Sequence, residues 1–153
     1  RAFSSEPGIT FRKEHMMSQA DEIREAMDAA DRALTALYRA QERLGSARSW
    51  GIADLLGGGP LFTAIKQHRM REANDDLAAA RTALQAFAKE LRDVDPADLS
   101  NIELGDFLSF ADFFFDGALA DWLMQSRIKD ARAQVDRAIR QVEALWHKLQ
   151  DKL

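Results

Sequence analysis

Near the end of the chain, Ile128, Arg132, Val135, Ile139, Val142, Trp146, Leu149 and Leu153 follow one another in alternating steps of four and three. Steps averaging 3.5 residues keep one stripe of side chains on one side of an α-helix, and such a stripe needs a facing helix to cover it. The same period occurs twice more. Met16, Ala20, Ile23, Met27, Ala30, Leu34, Leu37, Gln41 and Leu44 form one seam, and Met70, Ala73, Leu77, Ala80, Leu84, Phe87, Leu91 and Val94 another. Three seams that must cover one another predict an all-α fold.

Punctuation sets the boundaries. The first long helix is predicted over about residues 12–44, stopped by Gly45, after an extended or disordered segment 1–11. The second, 60–94, opens at Gly59-Pro60, where proline suits the first helical position, and ends in DVDPAD, because the residue before Pro96 is driven from helical dihedrals. At about 1.5 Å per residue both are roughly 50 Å long. A third helix of matching length starts near the Asp116-Gly117 break and covers about 117–152. Short helical pieces at 49–56 and 105–116 close the ends. The expected architecture is one domain, 12–153: an antiparallel three-long-helix bundle or coiled coil with short helical end pieces.

The balance of 21 basic against 25 acidic residues leaves a net charge of -4, the wrong sign for affinity built on phosphate neutralisation, so nucleic acid is not an expected partner. The apolar stretch FLSFADFFFDGALADWLM carries Asp112, Asp116 and Asp121, each costing about 2.5–3.5 kcal/mol near a bilayer centre, and reads as a buried helix rather than an inserted one. The opening RAFSSEPG lacks the apolar core of a signal peptide, and the chain has no cysteine; a soluble cytoplasmic protein is expected.

Two stretches, WGIADLLGGG followed by Lys66 and His68, and FADFFFDGALADW, resemble a family of uncharacterised bacterial all-helical proteins. The resemblance spans about residues 8–150. It implies one helical domain and a bacterial origin, and it carries over no activity and no catalytic residue.

The glycine loop, Gly57, Gly58 and Gly59, is the first candidate site. It departs from a phosphate-binding P-loop: no Lys-Ser/Thr follows the glycines, and Lys66 falls about two turns into the helix. Free amides at a helix start, with Thr63 one turn in, suit a carboxylate or phosphate. The structural alternative is a tight turn between antiparallel helices. Lys66 extends the second seam and points partly inward, where an ammonium needs a partner. Asp54 is the nearest acid by sequence, so a Lys66–Asp54 pair and a niche for a small anion are the two readings. His68 is expected as a lone surface histidine.

Asp112 and Asp116 lie four apart and would share a face with Ser109. They are weak metal candidates, because no Glu-x-x-His occurs to complete a carboxylate site; caps and a solvated stripe are the alternative. No cofactor is expected. Asp121, Gln125 and Arg132 fall at inward seam positions, where polar residues fix register or oligomeric state at some expense in stability. Phe113, Phe114 and Phe115 span most of a helix circumference, so at least one needs cover from the bundle end, from a second copy or from another protein.

Long seams, mixed-charge outer faces and no assembled catalytic constellation point to a non-catalytic helical scaffold or protein-interaction domain, self-associating or bound to a helical partner. The alternative is a binding protein or enzyme for a small anionic or metal-bound ligand, acting at the glycine loop with Lys66 or at the Asp112/Asp116 end.

Overall fold

The structure, a computed structural model, describes residues 7–45, 60–94, 101–115 and 128–153, with side chains over 19–45, 68–94, 104–112 and 128–153. Four helices make up the described residues: α1, Pro7–Gly45; α2, Pro60–Asp93; α3, Asn101–Phe115; and α4, Ile128–Asp151. No strand occurs among these residues, so the all-α expectation holds. No helix among them is long and apolar enough to cross a membrane.

The starts of two helices differ from the sequence expectation. α1 begins at Pro7 rather than near residue 12, a start that uses proline's fixed φ and missing donor at the first helical position. α3 begins at Asn101 rather than Gly105; Ser100 and Glu103 have the spacing of a capping box, a start signal stronger than Gly105-Asp106. Gly105 is consequently an exposed residue inside α3, with open space where a Cβ would stand.

α1 packs against both α2 and α4, while α3 packs mainly on α2 and also touches α4. A helix with two neighbours needs a wider apolar face than one seam provides. On α1 the expected Ile23, Ala30, Leu37 and Leu44 are buried, but Ala26, Ala33 and Ala40 are equally buried, while Met27, Leu34 and Gln41 lie half-buried at the flank. The middle of the face is thus an alanine row. Eleven of the 26 buried apolar residues described are alanines, a composition that favours the short end of the roughly 8–10 Å range of helix separations.

α2 follows its predicted seam throughout: Ala73, Leu77, Ala80, Leu84, Phe87, Leu91 and Val94 are buried and Met70 is half-buried. On α4, Val135, Ile139, Val142 and Leu149 are buried as expected, joined by Ala131, Ala138 and Leu145, so the centre of the face lies one row away from Trp146. Leu153, the last predicted seam residue, is 56% exposed, because α4 ends at Asp151.

Aromatic contacts anchor α3. The Phe87 and Phe107 rings meet edge to face at 5.4 Å, a geometry that adds about 0.5–1.5 kcal/mol to the burial of both. The Arg137 guanidinium of α4 lies 5.0 Å from the centre of the Phe110 ring, giving α3 a cation–π contact with its second neighbour.

Candidate functional site

Among the described residues, a cluster of charged side chains joins the end of α1 to the first half of α2. His68, Glu72 and Asp76 are spaced by four on α2 and therefore share one face. Arg43, in the last turn of α1, donates from Nε to Asp76 Oδ2 at 2.8 Å and from Nη1 to Glu72 Oε2. The other oxygen of Glu72 stands 2.5 Å from His68 Nε2. The hydrogen bond to Asp76 raises the Arg43 pKa above its ordinary value; burial opposes this, and the charges of Asp76, Glu72 and Glu42 add to it. With the Arg43 side chain 38% exposed, these are surface-type ion pairs of modest energy. Their geometry is a brace between helices. His68 is exposed, as expected, but it is not alone, because its partner lies one turn further along the same helix.

A second set of polar contacts joins α1 to α4. Gln41 donates from Nε2 to Asp136 Oδ1 at 2.7 Å. Tyr38 faces Glu143, and its pKa is raised, first by burial and then by the charge and hydrogen bond of that carboxylate. The guanidinium carbon of Arg132 stands 3.9 Å from where a Cβ on Gly45 would be, which sets a cation beside the negative end of the α1 dipole. The three pairs, 38 with 143, 41 with 136 and 45 with 132, fall in residue number on α4 as they rise on α1.

Among the described residues, four buried side-chain polar atoms have no hydrogen-bond partner: Asn74 Oδ1, Gln134 Oε1, Gln141 Oε1 and Trp146 Nε1. Each such atom costs about 1–3 kcal/mol. Three of them lie on α4. Trp146 is a residue of the predicted α4 seam, whereas Asn74, Gln134 and Gln141 were not singled out in the sequence, although a lone amide on the flank of a seam is the signal that marks them. Gln141 also lines an open groove of about 180 Å³ between α3 and α4, shared with Asp106, Phe107, Ala144, Leu145 and Lys148.

Of the residues singled out in the sequence, Arg132 is half-buried on α4 and Asp112 is exposed on α3. Thr63 and Lys66 belong to the first two turns of α2, and Phe113, Phe114 and Phe115 close α3, but their side chains lie outside the described residues. Asp54, Gly57, Gly58, Gly59, Asp116, Asp121 and Gln125 lie outside the described residues altogether. The Lys66–Asp54 pair and the Asp112/Asp116 couple are therefore not visible as pairs. Among the described residues no group of three His, Asp or Glu side chains is placed to hold a metal ion.

Compared with family models, with curated proteins and with solved structures, the chain matches none. The arrangement of its own side chains carries the functional reading.

Proposed function

We propose that the chain is a helical scaffold or protein-interaction domain, built as an antiparallel bundle of three long helices in which α1 runs between α2 and α4. One observation carries this reading: the described cross-helix polar contacts, Arg43 with Glu72 and Asp76, Gln41 with Asp136, and Tyr38 with Glu143, each tie one long helix to another. Charge is used to hold rods in register, and the outer faces of those rods are left as long solvated surfaces. On α1 that face includes Arg24, Asp28, Asp31, Arg32, Arg39 and Glu42, a mixed pattern suited to a soluble helix that presents itself to other chains. Within this reading Arg132, Asp121 and Gln125 serve as register-setting polar residues, Phe113 to Phe115 form the contact with a second copy or a helical partner, and the protein works in the cytoplasm without a cofactor.

Light scattering on a sizing column tests the proposal. The expected result is a dimer or larger assembly that grows with concentration and is weakened by Phe114→Ser. A strict monomer at every concentration that also retains no helical partner would overturn it.

A second reading is favoured by one placement. α2 begins at Pro60, so Thr63 and Lys66 sit in its first two turns, on the same half of α2 as His68 and the Arg43 brace. A small anion held there would be recognised by backbone amides and Lys66. Inorganic phosphate should then raise the melting temperature of the wild type and leave Lys66→Ala unmoved; equal shifts in both would remove this reading. The Asp112 end is tested in the same way with magnesium and Asp112→Asn.

A further inference from the structure

We draw no further inference here: the strongest candidate, the open groove between α3 and α4 bordered by Asp106, Phe107, Gln141 and Lys148, carries nothing because its orphaned acceptor, Gln141 Oε1, is shut away from solvent and nothing in the structure shows what covers the groove.

Discussion

Arg43 at the end of α1 and Asp76 on α2 are joined by a 2.8 Å hydrogen bond from Nε to Oδ2, and the same guanidinium holds Glu72. One arginine thereby spans two carboxylates that stand a helical turn apart. Replacing it by methionine keeps the packing of its stem and removes the charge. Because all three side chains are partly exposed, Arg43→Met should cost only about 0.5–1 kcal/mol in urea unfolding, and the loss should shrink as salt is added. A loss above about 2 kcal/mol that ignores salt would mean that the pair is buried and that this description of the brace is wrong.

Tyr38 is the chain's one tyrosine, so its ionisation can be followed by tyrosinate absorbance without interference from another residue. Its folded pKa lies above the ordinary tyrosine value. The proton is held more tightly in the folded state than in the unfolded one. The stabilisation is therefore complete below the unfolded pKa and is lost as pH rises through the folded value. Tyr38→Phe should flatten the fall in stability above the unfolded pKa. Glu143→Gln should bring the midpoint part of the way down, since burial is the larger cause. A midpoint that Glu143→Gln leaves in place would show that the phenol does not meet that carboxylate.

Ala33 is fully buried in the alanine row of α1, whereas Ala79 on α2 is exposed. Ala33→Leu forces extra volume between helices and should destabilise by about 1–3 kcal/mol or more, while Ala79→Leu should stay within about 0.5 kcal/mol of the wild type. Denaturant midpoints of the two variants decide the matter. Equal effects would mean that the row does not face the core.

Gly105 lies inside α3 with nothing within 4 Å of an added Cβ. Gly105→Ala should then gain about 0.5–1 kcal/mol, the usual difference between the two residues within a helix, seen as a higher melting temperature. A drop would place Gly105 in a turn instead.

How much of this could be read from the sequence depended on side-chain size. Along α2, leucine and phenylalanine alternate with alanine at a fixed period, and every seam residue from Ala73 to Val94 is buried. Along α1, alanine is small enough to suit either a buried or an exposed face, so the seam drawn through Met27 and Leu34 missed Ala26, Ala33 and Ala40 by one row. On α4 the size of Trp146 attracted the seam away from Leu145, although the indole lies half-buried beside the core. The His68–Glu72 contact follows from i,i+4 spacing and was within reach of sequence reasoning. The Arg43 and Gln41 contacts were not, because each requires the register between two helices that are distant in sequence. The glycine-loop candidates Asp54 and Gly57 to Gly59 fall outside the described residues, so for them the sequence reading stands alone.

The bundle itself is tested most directly by one distance. Exposed Arg24 lies seventeen residues before Gln41, and exposed Gln150 lies fourteen residues after Asp136. With Gln41 and Asp136 level and a rise of about 1.5 Å per residue, an antiparallel α1–α4 pair leaves positions 24 and 150 about 5 Å apart along the axis, and a parallel pair about 46 Å. The chain has no cysteine, so spin labels can be attached to an Arg24→Cys/Gln150→Cys variant alone and their separation measured by pulsed electron resonance. A single short distance is the predicted result. A long one would contradict the antiparallel brace, and with it the scaffold built on it.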